Sequence, residues 1–369
     1  MLKKNMIPIF SAAQANAGLN LIGCIQGVLD KSWYVLGEEV GEFETEFAAF
    51  TGVSHCISVA NGSDALQLAL TGLGVGRGDR VVTVANAGFY ASTAIYAVGA
   101  EPIYVDVSAE TLTLDSDALQ TLILLKPAAI IVTHLYGQLA DIEGIVKMAT
   151  AAGIPVVEDC AQAHGAQRHG KRAGSFGTVG CFSFYPTKNL GALGDGGAIV
   201  TNDPALAVRL RQLRQYGWAK KYEVAIPGGR NSRLDEIQAA ILRVKLPLLD
   251  GWNAQRRSIA KRYNEAFSDF DLQLPPSLGL DYVAHLYVVR VKERADFAAF
   301  LKSRFIATDI HYPIADHHQS AYHVTPDLSL SVTEQACEHV ISLPCFPGLS
   351  DEDVERVIDA VTGYFSGRK

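Results

Sequence analysis

The sequence lacks paired cysteines, a long hydrophobic run and an excess of positive charge. None of the six cysteines among its 369 residues lies in a Cys-x-x-Cys pair, so neither a disulfide framework nor a structural zinc site is expected. A net charge of −7 provides no positive field to attract nucleic acid or an anionic membrane. No run is long enough to span a bilayer, and no signal-like apolar segment precedes Ser11. We therefore expect a cytoplasmic protein that acts on small molecules.

What the chain does contain is a series of short apolar strands that alternate with helical segments between Val53 and Thr201. The predicted strands are Cys56–Val59, Val81–Val84, Pro102–Val105, Ile130–Val132 and Pro155–Val157. Strands that are apolar on both faces are typical of a parallel sheet covered by helices on both sides. The pattern predicts an α/β fold, with residues 1–247 forming a large three-layer domain around a mostly parallel sheet.

A second region follows Pro247, which interrupts an apolar-periodic helix predicted over Leu234–Leu246. Further predicted elements are a helix at Trp252–Phe267, a strand at Leu286–Val291, a helix at Ala295–Arg304, and a last helix capped by Ser350 with Asp353. This order predicts a smaller α+β domain over residues 248–369.

The first candidate site is the turn Asn61-Gly62-Ser63, where an apolar strand leads directly into a helix. The first N–H groups of a helix have no intrahelical partner, so such a turn favours a phosphate or a carboxylate. A plain capped strand-to-helix turn is the alternative. Asp64 weakens the phosphate interpretation unless its carboxylate points away.

Two acids, Glu158 and Asp159, form the second candidate site at the end of an apolar strand. Open α/β sheets bind ligands at this edge, and a buried carboxylate there must be paired. It could bind a metal ion or a protonated ring nitrogen. A metal ion would need more ligands than the single nearby His164, so no metal is expected. For Asp159 a helix N-cap is the alternative.

The third candidate is Lys188, which follows Ser183 and Tyr185 and precedes the glycine-rich stretch Gly191–Gly197. It lies between two apolar strands in a segment with little other charge. Burial would lower its pKa and favour the neutral amine, which is the form that attacks a carbonyl.

An anion cradle, a carboxylate at a strand end and a buried amine together match the needs of pyridoxal phosphate. Its aldehyde forms a Schiff base with a lysine, its phosphate needs backbone donors, and its ring nitrogen needs an aspartate. Phe89 follows a strand at the same edge and would stack on the ring; as an alternative it fills the core.

The sequence resembles the nucleotide-sugar aminotransferases of the DegT/StrS type, which are fold-type I pyridoxal-phosphate enzymes. The matching motifs are NGSDAL, VEDCAQAHGA, FSFYPTKNLGALGDGGAIVT, GGRNSRLDEIQAAIL and HYPIADHHQSAY. They occur in the family order over nearly the whole chain. The resemblance implies a two-domain subunit and a homodimer whose active sites lie at the subunit interface.

The resemblance also implies roles for individual residues. Lys188 matches the Schiff-base lysine and Asp159 the partner of the ring nitrogen, while Gln162 matches the contact to the ring oxygen. The remaining cofactor positions are Gly62, Ser63 and Ser183 for the phosphate, Phe89 for stacking, and Asn231 for the phosphate of the neighbouring subunit. Without the family, Asn231 would simply cap the helix near Leu234.

Lys188 further implies amino transfer, because some relatives that dehydrate deoxysugars have a histidine at this position. The family suggests L-glutamate as amino donor.

The loop around His317 resembles the corresponding loop of enzymes that aminate C3 of dTDP-3-oxo-6-deoxyhexoses. The resemblance implies that the product is a deoxyaminosugar for glycans such as the O-antigen of lipopolysaccharide. Tyr185 and His134 could also face the sugar; a solvated surface pair, His317 with His318, is the alternative.

Other functions remain open at this point. They are a C4 aminotransferase of a UDP- or dTDP-4-ketosugar, a non-catalytic regulator that binds pyridoxal phosphate, an amino-acid transaminase and a cysteine desulfurase. A desulfurase needs a reactive thiol, whereas Cys160 and Cys181 lie in strand-like surroundings. An amino-acid transaminase needs an arginine clamp, and Arg290 and Arg304 match no known motif.

Overall fold

The structure, a computed structural model, describes residues 6–322 and 328–367. Its centre is a seven-stranded sheet in the order β1-β9-β8-β5-β4-β2-β3. The strands are β1 His55–Val59, β2 Arg80–Val84, β3 Glu101–Val105, β4 Ala129–Thr133, β5 Val156–Asp159, β6 Gln167–Arg168, β7 Lys171–Arg172, β8 Val179–Ser183, β9 Gly197–Thr201, β10 Trp218–Lys220, β11 Glu223–Val224, β12 Tyr287–Arg290 and β13 Val340–Leu343.

Five neighbouring strands of the sheet, β3, β2, β4, β5 and β8, run parallel to one another. Strand β9 is antiparallel to both β8 and β1. All five residues of β4 and all four of β5 are buried, because helices cover both faces of the sheet. The mostly parallel sheet predicted from the apolar runs is therefore confirmed.

The helices are α1 Ala12–Ala15, α2 Leu21–Lys31, α3 Glu38–Thr51, α4 Gly62–Gly72, α5 Tyr90–Ala97, α6 Ser116–Ile123, α7 Ile142–Ala151, α8 Pro204–Leu213, α9 Glu236–Lys245, α10 Leu249–Phe267, α11 Arg294–Ser303, α12 Ser331–His339 and α13 Asp351–Ser366. Neighbouring strand residues point to opposite faces of the sheet. Ile57 packs in the core beneath α4 and α8, whereas Cys56 packs in the core beneath α3 and α9. This alternation produces the three layers.

The C-terminal part packs α10, α11 and α13 on the two-stranded sheet β12-β13. Ile7 from the opposite end of the chain joins this core and pairs with Ile306. Helix α9 begins at Glu236, two residues later than predicted, because Asp235 is its extended N-cap residue. The helix ends at Lys245, and a 3₁₀ turn containing Pro247 leads into α10. Among the described residues, no helix is both long and apolar enough to cross a bilayer.

Candidate active site

A cavity of about 490 Å³ lies at the carboxyl ends of β4, β5 and β8, beside the C-terminal part. Ligands bind at this edge in open α/β sheets. Seven residues predicted from the sequence line the cavity: Gly62, Ser63, Asp159, Gln162, Ser183, Tyr185 and Lys188. The fold therefore brings together three motifs that lie at residues 62–63, 159–162 and 183–188 of the chain.

The anion cradle forms where the N-terminus of α4 meets the end of β8. Asn61 caps this helix, since its side chain accepts a hydrogen bond from the N–H of Asp64 at 2.8 Å. The carboxylate of Asp64 lies 3.7 Å from a guanidinium nitrogen of Arg230 and does not line the cavity. The first N–H groups of α4 remain available to an anion, so Asp64 does not oppose a phosphate here.

Gly62 makes this close approach possible. A Cβ atom at position 62 would lie 2.7 Å from the Cβ of Ser183, which is too short for two carbon atoms. Glycine therefore lets the helix N-terminus and the Ser183 hydroxyl lie side by side at the cavity wall. Their hydrogen-bond donors together form a cradle suited to a phosphate group.

We expect Gly62→Ala to weaken cofactor binding roughly 5- to 150-fold, because relieving such overpacking typically costs about 1–3 kcal/mol. Titration of the cofactor-free protein with pyridoxal phosphate, followed by absorbance, measures the effect. Gly41→Ala in α3 is the matched control, since its added Cβ meets no atom within 4 Å. Equal affinities of the two variants would show that Gly62 does not form the cradle.

Asp159 ends β5 and is buried. Its Oδ1 accepts a hydrogen bond from the N–H of Ala161 at 3.1 Å. Burial raises the pKa of this carboxyl group, and the positive charge of Lys188 opposes the rise. No helix follows Asp159, so the alternative of an N-cap is wrong. A buried carboxylate at the cavity wall is suited to a cationic partner such as a protonated ring nitrogen.

The neighbouring acid, Glu158, points away from the cavity and is completely buried. Its oxygens accept hydrogen bonds from the N–H groups of Gly174, Phe176 and Gly177 at 2.7–2.9 Å. The Nε2 of His134 lies 3.0 Å from the same carboxylate. This Nε2 carries the proton, since Nδ1 accepts a hydrogen bond from the N–H of Ala140.

These contacts bear on two expectations for this region. His134, Glu158 and Cys160 lie close enough together to share an ion, but donors already surround the carboxylate and burial raises the pKa of the Cys160 thiol. The group is therefore unsuited to a metal.

His134 is buried behind the sheet edge with both ring nitrogens engaged and does not line the cavity, which corrects the expectation that it faces the sugar.

Lys188 lies in the turn after β8, where its N–H donates to the carbonyl of Tyr185 at 2.8 Å. Its half-buried side chain lines the cavity. Burial lowers the pKa of the amine to about 8, against the opposing charge of Asp159. Lys245 has an equally lowered pKa, yet its Nζ donates to the carbonyl of Gly191 at 2.7 Å, away from the cavity. Among the lysines that the structure describes, Lys188 alone combines a lowered pKa with a place at the cavity wall.

Phe89 does not line the cavity, which corrects its predicted stacking role. Its backbone is left-handed, with φ of 68°, and its N–H donates to the Oδ1 of Asp316 at 3.0 Å. This turn directs the ring toward Tyr322, at a centroid distance of 4.8 Å. Tyr90 and Tyr312 line the cavity instead.

Gln162 lines the cavity with both ends of its amide engaged. Its Oε1 accepts a hydrogen bond from the N–H of Tyr136 at 2.6 Å, and its Nε2 donates to the hydroxyl of Tyr312 at 3.0 Å. The amide therefore fixes an aromatic ring of the cavity wall. Its contact with a cofactor oxygen stays a prediction.

Two other predicted residues lie outside the cavity. Asn231 is exposed and lies five residues before α9, so it does not cap that helix. Its contact with a neighbouring subunit stays a prediction.

His317 is buried, with its Nε2 3.1 Å from the Oε1 of Glu334. The predicted contact of His317 with substrate is therefore not seen. The alternative of a solvated pair is not seen either, because of the two histidines His318 is exposed and His317 is buried.

Sequence reasoning missed the part of the cavity wall supplied by the C-terminal region. His285, Arg256, His311 and Tyr312 line the cavity together with the predicted residues. His311 and Tyr312 lie in the same motif as His317. The motif therefore indicated this part of the cavity wall, although His317 itself lies outside it. Nothing in the local sequence of Arg256 or His285 indicated a site.

The surroundings of Cys160, Cys181, Arg290 and Arg304 do not match what two rival chemistries need. Burial raises the pKa of the Cys160 and Cys181 thiols well above the ordinary value, which is unsuited to a desulfurase nucleophile. Arg290 donates to the carbonyl of Ala109, and Arg304 lies over the ring of Phe300. Neither of these two arginines lines the cavity as a carboxylate clamp would, and Arg256, which does line it, donates to the backbone carbonyls of Ala284, His285 and Cys345.

Such a lysine, facing a strand-end carboxylate and a helix N-terminus at the edge of this sheet, defines the class of fold-type I pyridoxal-phosphate enzymes. The chain belongs to the DegT/DnrJ/EryC1/StrS aminotransferase family, whose model matches residues 19–362. Its resemblance to this family is thereby confirmed, and with it the dependence on pyridoxal phosphate.

Individual relatives cover nearly the whole chain. A dTDP-3-amino-3,6-dideoxy-alpha-D-galactopyranose transaminase of Aneurinibacillus thermoaerophilus is 46% identical over 97% of this chain and 99% of its own. A dTDP-3-amino-3,4,6-trideoxy-alpha-D-glucose transaminase of Micromonospora megalomicea is 42% identical over 94% and 95%. The crystal structure of Streptomyces venezuelae DesV with a ketimine intermediate superposes with a TM-score of 0.94, at 41% identity over 98% of both chains.

Proposed function

We propose that the protein transfers an amino group from L-glutamate to C3 of a dTDP-linked 3-oxo-6-deoxyhexose. The observation that carries this proposal is the cavity in which Lys188 faces Asp159 and the cradle of α4. Relatives 42% and 46% identical over nearly the whole chain are transaminases that form dTDP-3-amino sugars. Their shared regiochemistry supports C3 over C4 as the position aminated.

The residues of the cavity fit pyridoxal phosphate. Gly62, Ser63 and Ser183 would hold its phosphate, Asp159 its ring nitrogen and Lys188 its aldehyde carbon. The close approach of the α4 N-terminus to Ser183, which a Cβ at position 62 would prevent, supports this assignment. When bound, the cofactor supplies an electron sink for negative charge on the substrate carbon that carries the nitrogen.

In this proposal Lys188 moves the proton at that carbon. A general base is most effective when its pKa lies near the working pH, and burial lowers the pKa of the Lys188 amine to about 8. Asp159 stays ionised by pairing with the protonated ring nitrogen, since an isolated buried carboxylate would be costly. Tyr185 is half exposed at the cavity, and in this proposal it contacts the arriving sugar.

The substrate is tested with purified protein, L-glutamate and a panel of dTDP- and UDP-linked 3-oxo and 4-oxo sugars. Mass spectrometry and NMR of the products locate the new amine. We expect an amine at C3 of a dTDP-linked sugar. Amination only at C4, the second candidate position, or of no nucleotide sugar at all would overturn the proposal.

We also propose a homodimer with shared active sites, in which Asn231 reaches the neighbouring subunit. Large apolar side chains are exposed on one chain, among them Ile22 at 81%, Trp33 at 63% and Tyr222 at 77%, and a second copy would cover such surface. Sedimentation equilibrium should give twice the mass of the chain. A monomer with full activity would contradict the shared site.

We further propose that the boundary between the two domains lies between residues 247 and 248. In this proposal the aminosugar enters glycans such as the O-antigen of lipopolysaccharide, and the enzyme works in the cytoplasm. All six cysteines are free thiols, which suits a reducing compartment.

A further inference from the structure

A hydrogen-bond network lies directly behind the turn that carries Lys188. The Nδ2 of Asn189 donates to the carbonyl of Val283 at 3.1 Å and to the Oδ1 of Asn253 at 2.8 Å. Asn253 in turn donates through its own Nδ2 to the carbonyl of His164 at 2.8 Å. Backbone carbonyls only accept hydrogen bonds, so the orientation of both amides is fixed.

This network also fixes the tautomer of His285. The Nδ1 of His285 lies 3.0 Å from the Oδ1 of Asn189, and that oxygen can only accept. The imidazole must therefore carry its proton on Nδ1. In the neutral ring, Nε2 is then an unprotonated acceptor.

His285 lines the cavity that contains Lys188. Its Nε2 has no hydrogen-bond partner among the residues that the structure describes, and the Nδ1 side of the ring is occupied by Asn189. The ring stays neutral because burial, together with the positive charges of Lys188 and Arg256, lowers the pKa of the imidazole well below its usual value.

We propose that His285 presents Nε2 to the cavity as a fixed hydrogen-bond acceptor for a hydroxyl group of the ketosugar next to its reacting carbonyl. This inference rests on the proposed function and identifies a residue that selects the sugar substrate. His285 binds the hydroxyl and transfers no proton, since a ring that stays neutral beside two cations is a weak base.

The chemistry of the two substrates explains why the sugar, rather than the amino donor, meets this acceptor. The carbons next to the reacting carbonyl of a ketosugar can carry hydroxyl groups, which donate hydrogen bonds. The reacting carbon of glutamate carries a carboxylate, which only accepts and would be repelled by the lone pair of Nε2. His285 therefore favours the half-reaction in which the ketosugar receives the amino group.

Two substitutions separate the cavity contact from the network. In His285→Asn the amide nitrogen can still donate to Asn189, but no atom reaches the place of Nε2. In His285→Gln the longer amide can place an oxygen near that position and restore an acceptor. Thermal melts and cofactor absorbance of both variants check that the turn of Lys188 is intact.

The two half-reactions are then measured separately by single-turnover absorbance. We expect His285→Asn to lower kcat/KM for the ketosugar about tenfold, as for loss of one neutral hydrogen bond. The glutamate half-reaction should change by less than about twofold, and His285→Gln should recover most of the loss.

Ketosugars that lack the hydroxyl at C2 or at C4 complete the test. For the analogue that lacks the bonded hydroxyl, the wild-type rate should fall and the His285→Asn penalty should vanish. An equal penalty for every sugar and for glutamate would overturn the role of His285 while leaving sugar amination intact. Failure of the wild-type protein to aminate any sugar would instead overturn the proposed function.

Discussion

Replacing Lys188 with alanine should abolish amino transfer and remove the covalently held cofactor. Loss of the proton-transferring base alone costs roughly 10²- to 10⁴-fold, and loss of covalent capture adds to it. We therefore expect turnover to fall at least about 10⁴-fold. Steady-state assays measure the loss, and absorbance of dialysed protein shows whether cofactor remains attached.

Lys245→Met is the matched control for this experiment. Lys245 shares the pKa of about 8 that burial gives to Lys188, but its amine bonds to the carbonyl of Gly191 away from the cavity. The control should lose thermal stability and keep its attached cofactor. Full activity of Lys188→Ala, or loss of the cofactor in Lys245→Met alone, would contradict the assignment.

Replacing Asp159 with alanine should reduce the rate more than it reduces cofactor affinity. Its carboxylate keeps the ring nitrogen protonated, and removing one electrostatic partner of a reacting group typically costs about 10²–10³ in kcat. We expect a loss in this range, with cofactor affinity weakened no more than roughly tenfold. Single-turnover rates and cofactor titrations measure the two effects independently.

Asp159→Asn keeps the shape of the side chain and removes its charge, so it should lose nearly as much rate as the alanine variant. Asp203→Asn serves as the control, because Asp203 caps α8 away from the cavity and asparagine caps helices equally well. A rate within twofold of wild type for Asp159→Asn would show that the charge is not required.

The sequence predicted those parts of the fold and site that local chemistry determines. Continuous apolar runs predicted β2, β4 and β5, because parallel strands are buried on both faces. Lys188 and Asp159 were recognisable because a charged group beside apolar strands is costly to bury unless it has a partner. Strand β13 was not predicted, although it pairs with β12 in a two-stranded sheet.

The remaining differences between the sequence prediction and the structure arise from contacts between distant segments of the chain. Phe89 follows a strand in sequence, but its left-handed turn and the hydrogen bond that its N–H donates to Asp316 direct its ring away from the cavity. His134 pairs with Glu158 behind the sheet edge. His285 reaches the cavity only because the C-terminal part packs there, a placement that no local pattern encodes.

The most direct test of the account is reduction of the coloured protein with borohydride, followed by digestion and mass spectrometry of the peptides. Reduction makes the carbon–nitrogen bond between cofactor and lysine permanent. We expect one pyridoxyl phosphate per chain, located on the peptide that contains Lys188, with the Lys245 peptide unmodified. Label on another lysine, or a colourless protein that gains no mass, would contradict the central claim.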